Sequence, residues 1–130
     1  MSQENVETVE RAISHLAKGE WNRDLFGEDV EVRDHDIPDA GVYRGREGFD
    51  AWIAQWGAAW GGFSIEAEEY LDAGSGQVVF VFRLTAQGRG SGVKLTRQDA
   101  IVSTVRGGKV VRLDYYNNRD QALVAVGMAE

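Results

Sequence analysis

Three aspartates of this chain stand in runs of apolar and aromatic residues, where a carboxylate is costly unless it has a partner or a use. Asp34 closes a valine-rich segment, Asp99 precedes a run of aliphatic residues, and Asp114 is flanked by a leucine and a tyrosine. Burial raises the pKa of a carboxyl group and makes the carboxylate a better proton acceptor. We therefore take these three as the candidate catalytic residues, for moving a proton or activating water.

Asp34 is the first choice for a general base. Val30, Val32 and Asp34 alternate along a predicted strand and so share one face. If that face looks inward, the carboxylate is desolvated. The alternative is that Asp34 belongs with Asp36 and Asp39 to a set of turn-forming acids exposed in a loop.

Arg97 and Asp99 lie two residues apart and share a strand face with Ile101, which predicts that the face looks inward. On an inward face, Arg97 is a candidate substrate-binding residue beside the Asp99 carboxylate. The alternative is an ordinary ion pair near a sheet edge, which contributes little stability. Arg83 follows the apolar run 78–82 and is a second candidate cation for an anionic ligand, unless its side chain extends to the rim.

Aromatic side chains are the candidate walls of a pocket, and they suit a planar ligand. Trp21 and Tyr43 border predicted loops, and Tyr116 follows the Asp114 segment. Trp56 is a further candidate, although it recurs with other tryptophans at helical spacing, for which core packing is the default interpretation.

The composition excludes several classes of function. The formal net charge is −7 and the basic residues are scattered, which disfavours nucleic acid and anionic membranes as partners. With no cysteine and two histidines, we expect neither a metal site nor a cofactor. His15 is expected on a helix surface, and His35 on the opposite side of its strand from Asp34. The N-terminus lacks the apolar segment of a signal peptide, so a cytoplasmic protein is expected.

The elements that must position these residues are two helices, a strand between them, and then further strands. Helical periodicity predicts a first helix over 2–18 and a second with Phe49, Trp52 and Trp60 on its apolar face, ended by the glycines at 61 and 62. A helical turn is expected over 22–26 and a loop over 35–45. The predicted strands cover 30–34, 63–72, 77–86, 93–105 and 109–117, with a short helix over 120–128.

These elements predict a single α+β domain spanning residues 1–130. Long strands twist and curl, and the helices can cover only the concave side, so we expect a cone-shaped, strongly curved antiparallel or mixed sheet wrapped around N-terminal helices. A small apolar or aromatic ligand would bind inside the cone. Val79 and Val81 face away from Phe80 and Phe82, and this second apolar face predicts a homodimer through the outer side of the sheet.

The order of these segments resembles the SnoaL-like branch of the NTF2-like superfamily. The resemblance is carried by Gly19-Glu20-Trp21, the turn at Asp34, and the segments 41–48, 88–93, 104–112 and 116–123. It implies a cystatin-like or NTF2-like roll. Members of the superfamily include polyketide cyclases, ketosteroid isomerases, dehydratases, epoxide hydrolases and pure binding or transport proteins, so the resemblance implies a pocket and leaves its chemistry open.

The ketosteroid isomerase branch has an element similar to Val32-Arg33-Asp34 that ends in its general base. Ala12 and Ile101 stand where that branch has its oxyanion-stabilising tyrosine and its protonated acid, so steroid isomerisation is not expected. Asp114-Tyr115-Tyr116-Asn117 resembles a terminal element of the epoxide hydrolase branch, whose arginine–aspartate pair is matched in part by Arg97 and Asp99.

Two hypotheses follow. In the first, the protein is a cofactor-independent lyase, isomerase or hydrolase with an aspartate general base and a mostly apolar substrate. It predicts at least two ionisable groups within hydrogen-bonding reach in the interior, at least one of them with a raised pKa. In the second, the protein is a non-catalytic binding or dimerising module whose carboxylates face solvent or are paired.

Overall fold

A computed structural model describes residues 2–13, 23–35, 42–88, 90 and 92–128, with the side chains of all of these except 2, 23 and 56–63. The chain order of the described elements begins with α1 (Ser2–Ile13), a 3-10 turn (Arg23–Leu25), β1 (Phe26–Asp34), β2 (Val42–Arg44) and α2 (Gly45–Ala59). It continues with β3 (Trp60–Gly74), β4 (Gln77–Gly88), β5 (Lys94–Arg106), β6 (Lys109–Tyr116) and α3 (Arg119–Ala125).

The described strands form one mixed sheet in the order β2-β1-β6-β5-β4-β3, which does not close on itself. Neighbouring strands are antiparallel except β1 and β6, which run parallel. The predicted α+β class is confirmed. Because β1 pairs with β6, the end of the first strand is brought beside the end of the last, with Asp34 opposite Tyr115 in register.

Helices cover both faces of the sheet. The inner face, against α1 and α2, buries the larger core, with Phe80, Phe82 and Leu113 on the strands and Val9 and Phe49 on the helices. The outer face lies against α3 and buries a smaller core made by Val79, Val81, Ala100, Val102, Ala122 and Leu123. The predicted alternation of β4 is therefore confirmed, but α3 of the same chain covers the outer valines that prompted the prediction of a dimer.

Several predicted boundaries were wrong, because contacts between distant segments set them. Residues 42–44 were expected in a loop, yet they form β2, since Val42, Tyr43 and Arg44 pair with residues 31–33 of β1. The first strand begins at Phe26 instead of Val30. The second helix ends at Ala59, before the glycines at 61 and 62, and Trp60, predicted on that helix, begins β3. The strand β3 pairs with β4 over its whole length, so strand pairing and not the glycines alone ends the helix. Residues 14–18 of the predicted first helix lie outside the described residues.

Close packing at the start of α2 holds β2 in place. A Cβ atom at Gly48 would lie 2.9 Å from the carbonyl carbon of Tyr43, so only glycine allows the helix to approach the strand this closely. None of the described helices is long and apolar enough to cross a membrane.

Candidate functional site

Asp34 lies on the inner face at the end of β1, and its residue is only 5% exposed. Val30 and Val32, on the same face of the strand, are fully buried with it. The indole Nε1 of Trp52, on α2, donates a hydrogen bond of 2.8 Å to its Oδ2. The predicted inward orientation is therefore confirmed, and the alternative of an exposed turn residue is wrong. Asp36 and Asp39 lie outside the described residues.

Asp99 and Arg97 face the same interior from β5. Asp99 is completely buried, and Arg97 Nε donates to its Oδ1 at 2.7 Å. The hydroxyl of Tyr115, on the adjacent β6, donates to the other oxygen, Oδ2. Since β5 lies between β4 and β6, the pair is not at a sheet edge, and its predicted inward orientation is confirmed.

Tyr115 connects the two aspartates. Its ring contacts the Trp52 indole edge-to-face, with ring centroids 5.9 Å apart. Burial, and then the adjacent Asp99 carboxylate, raises the pKa of the Tyr115 hydroxyl far above its ordinary value, so this group stays protonated and acts as a donor. We call Asp34, Trp52, Tyr115, Asp99 and Arg97 the inner cluster. It places two carboxylates, a phenol and a guanidinium in an apolar interior.

Asp114 does not join the inner cluster. Leu113 and Tyr115 face inward, so Asp114 between them faces outward, under α3, where it is also 5% exposed. Arg112 binds it with two hydrogen bonds, from Nε to Oδ2 at 2.8 Å and from Nη2 to Oδ1 at 3.0 Å. His35 Nε2 lies 2.9 Å from Oδ1. Asp114, a candidate catalytic residue, therefore does not line the interior with Asp99, because strand alternation places the two side chains on opposite faces of the sheet.

His35 faces outward, as predicted, and its ring stacks on that of Tyr116 with centroids 4.5 Å apart and an interplanar angle of 2°. We call His35, Arg112, Asp114 and Tyr116 the outer cluster. Tyr116 was a candidate for lining the interior, but it lies on the other side of the sheet.

The remaining candidates are dispersed. The Tyr43 hydroxyl donates to Gln55 on α2, and its ring packs against the inner core. Arg83 lies on the outer face, where its Nη2 is 3.4 Å from Glu68, so it does not reach the interior. Trp21 and the side chain of Trp56 lie outside what the structure describes. Among the described residues, no three His, Asp or Glu side chains form a group that could hold a metal ion.

Sequence reasoning missed Tyr115 and the polar role of Trp52. Both could have been found: Tyr115 shares its strand face with the apolar Leu113, and a buried indole N–H normally has an acceptor.

The comparisons with known proteins agree with this fold. The family profile of the SnoaL-like domain matches residues 9–113. The chain belongs to the SnoaL-like family. It has the NTF2-like fold, which is also found in polyketide cyclases and ketosteroid isomerases.

This SnoaL-like chain is 31% identical to the uncharacterized protein Rv0034 of Mycobacterium tuberculosis (strain ATCC 25618 / H37Rv) over 118 residues, which cover 86% of this chain and 87% of the relative. Among solved structures, Bal32a from a soil-derived mobile gene cassette is 26% identical, with a TM-score of 0.76 over 88% of this chain and 89% of that chain. TerC, co-crystallized with polyporic acid, shares the fold with a TM-score of 0.73 at 17% identity, over 95% of this chain and 98% of that chain.

Proposed function

We propose that this protein binds a small, mostly apolar molecule beside the inner cluster and transfers a proton on it without a cofactor, with Asp34 as the general base. One observation carries the proposal: the Asp34 carboxylate is 5% exposed among valines, and the partner that donates to its Oδ2 is a neutral indole. The indole N–H is a neutral donor that fixes the orientation of the carboxylate. A carboxylate in such surroundings suits proton abstraction in a lyase, isomerase or hydrolase reaction.

The other members of the inner cluster have supporting roles in this proposal. Asp99 is held by Arg97 and Tyr115, so it orients both side chains. The Arg97 side chain is 27% exposed, and its positive charge would stabilise negative charge that develops on the substrate after proton removal. Asp99 is thus a positioning residue, and Arg97 a substrate-binding one.

We propose an aromatic or polycyclic substrate that has an acidic C–H bond next to an electron-withdrawing group. The aromatic side chains around the inner cluster support this choice, and TerC, which has a similar fold, was co-crystallized with polyporic acid. The assignment of Tyr43, Trp21 and Trp56 as pocket walls stays a prediction.

The test uses 5-nitrobenzisoxazole, an apolar probe that needs only a base. Removal of its C–H proton breaks the ring N–O bond and releases a coloured cyanophenolate. We expect Asp34→Asn to lower kcat/KM by about 10²-fold or more, because general bases contribute about 10²–10⁴-fold. The amide oxygen can still accept from Trp52, so the fold is kept. Asp29→Asn, an exposed aspartate on the same strand, is the matched control. Equal rates for wild type and Asp34→Asn would refute Asp34 as the base.

A non-catalytic binding module is the second candidate, because Asp99 is fully buried and already accepts from Arg97 and Tyr115. It predicts that an apolar aromatic probe quenches tryptophan fluorescence on binding while 5-nitrobenzisoxazole turns over no faster than in buffer containing free carboxylate.

The predicted homodimer through the outer face remains a proposal. Its interface would lie on the half of that face away from α3, where Arg83 and Gln98 both contact Glu68 and where Thr85 pairs with Thr96. Light scattering after size-exclusion chromatography would give the mass. Arg83→Glu should dissociate the dimer, and a monomeric wild type would refute the proposal.

A further inference from the structure

A cleft on the outer face, at the edge of α3, is separate from the inner cluster. It has a volume of about 380 Å³ and is lined by His35, Tyr116, Asp120, Gln121 and Val124. That volume lies within the range of small-molecule sites. Because the cleft and the inner cluster lie on opposite faces of the sheet, a molecule in one cannot contact the other.

Two contacts hold the imidazole of His35 at this cleft, and a third holds the backbone of this residue. Its Nε2 lies 2.9 Å from Asp114 Oδ1, its ring stacks on Tyr116, and its backbone N–H donates to the Tyr115 carbonyl at 2.8 Å. Arg112 in turn holds Asp114 with two hydrogen bonds. The ring is therefore oriented at its Nε2 edge and on one of its faces before any ligand arrives.

The hydrogen bond to Asp114 also selects the tautomer of a neutral His35. A carboxylate only accepts, so the imidazole proton is on Nε2 and the lone pair is on Nδ1. Among the described residues no hydrogen bond is made by Nδ1, and the His35 side chain is 40% exposed. The partly exposed ring that lines the cleft thus carries an acceptor nitrogen with no hydrogen bond to the described residues.

We propose that this cleft is a second binding site, which takes a small aromatic alcohol whose O–H donates to His35 Nδ1. The wall formed by Val124 and Tyr116 suits an aromatic ring. Asp120 at the cleft and the net charge of −7 disfavour an anion, so the donor group is a neutral hydroxyl. This site does not depend on the proposed activity of the inner cluster.

The test compares 2-naphthol with its methyl ether, 2-methoxynaphthalene, which has the same rings and no O–H. Binding to wild type is followed by NMR, through the shifts of the His35 ring and of Gln121 and Val124. We expect 2-naphthol to bind up to about ten-fold more tightly than the ether, which corresponds to one hydrogen bond. His35→Phe keeps a ring to stack on Tyr116 and removes the acceptor, so it should bind both molecules equally.

A second control separates this cleft from the interior. Asp34→Asn should bind 2-naphthol as wild type does, with the same shifts at His35. Equal affinity of wild type for 2-naphthol and the ether would overturn the proposal, and so would ligand-induced shifts confined to Trp52 and Tyr115. The comparison of 2-naphthol with its ether needs only the wild-type protein, so it tests the proposed second site even if His35→Phe does not fold.

Discussion

Asp34 and Asp114 are equally buried, at 5% exposure each, on opposite faces of the same sheet, but different kinds of side chain donate to them. Trp52, a neutral donor, binds Asp34, whereas Arg112 and His35 bind Asp114. Arg112 and Asp114 stabilise each other's charge, and the hydrogen bond to Asp114 raises the pKa of the Arg112 guanidinium. Burial by itself therefore does not identify a general base. Two hydrogen bonds from Arg112 make Asp114 one half of an ion pair, whereas the donor to Asp34 Oδ2 is an indole N–H.

The largest difference between the two aspartates should appear in proton abstraction. With 5-nitrobenzisoxazole, Asp34→Asn should lower kcat/KM by about 10²-fold or more, and Asp114→Asn by less than about two-fold, because Asp114 lies on the other side of the sheet. Steady-state kinetics of both variants checks this. A loss of the same size in both would show that the two faces are not independent.

A second comparison concerns stability and uses two arginine–carboxylate pairs. Their arginines, Arg97 and Arg83, lie on the adjacent strands β5 and β4. Arg97→Gln removes the cation that donates to the fully buried Asp99 and should lower the free energy of unfolding by about 3 kcal/mol. Arg83→Gln breaks a 3.4 Å contact with Glu68 in which Arg83 is 46% exposed, and should cost less than about 0.5 kcal/mol. Urea unfolding at neutral pH measures both values, and a loss of under about 1 kcal/mol in Arg97→Gln would contradict the importance of the inner pair.

At alkaline pH, ionisation of the inner-face tyrosines should lower the free energy of unfolding more than ionisation of the outer-face tyrosine. Burial, and then Glu10, raises the pKa of Tyr70 from 10.0 to about 12, and the pKa of Tyr115 is raised further, again chiefly by burial. Below pH 10 the hydroxyls of Tyr70 and Tyr115 stay protonated in both the folded and the unfolded state. Above it the unfolded chain releases these protons first, so the free energy of unfolding falls as pH rises, by at most about 1.4 kcal/mol per pH unit for each tyrosine.

Urea unfolding between pH 9 and 11 tests the alkaline effect, with about two points per pH unit to define the slope. Tyr115→Phe should flatten the slope more than Tyr116→Phe, because Tyr116 is only partly buried, although its pKa is also raised by burial and by Asp114. An identical slope in the two variants would contradict the difference in burial between the two faces.

The smallest effect concerns Ser103, on the inner face of β5. Its Oγ is buried and has no hydrogen-bond partner among the described residues. Removing an unpaired buried hydroxyl relieves its desolvation cost, so Ser103→Ala should raise the free energy of unfolding by about 1 kcal/mol. Ser64→Ala, at an exposed serine of β3, should change it by less than about 0.5 kcal/mol. Destabilisation by Ser103→Ala would indicate that the hydroxyl has an acceptor in solution.

Much of the inner cluster could be predicted from local periodicity. The two-residue repeat placed Asp34 with Val30 and Val32, and Asp99 with Arg97 and Ile101, because side chains alternate strictly along a regular strand. The same rule also separated His35 from Asp34. Applied to β6, the same rule puts Asp114 on the face opposite Leu113 and Tyr115, and the Tyr115 hydroxyl reaches Asp99 on the neighbouring strand.

The outer cluster could not be predicted, because its contacts join distant parts of the chain. His35 and Asp114 are 79 residues apart, and they meet only because β1 lies parallel to β6 in a register that places Asp34 beside Tyr115. β2 was missed for the same reason, since three residues form a strand only when a neighbour supplies the backbone hydrogen bonds.

By itself the sequence determined the fold class, the order of most elements, and which side chains share a strand face, since these depend on propensities and periodicities between near neighbours. The tertiary structure decided which face each strand turns inward, which donor solvates each carboxylate, and that α3 covers the outer valines. Those outcomes depend on pairing register and on packing between segments far apart in the chain, where a shift of one residue would exchange the inner and outer faces.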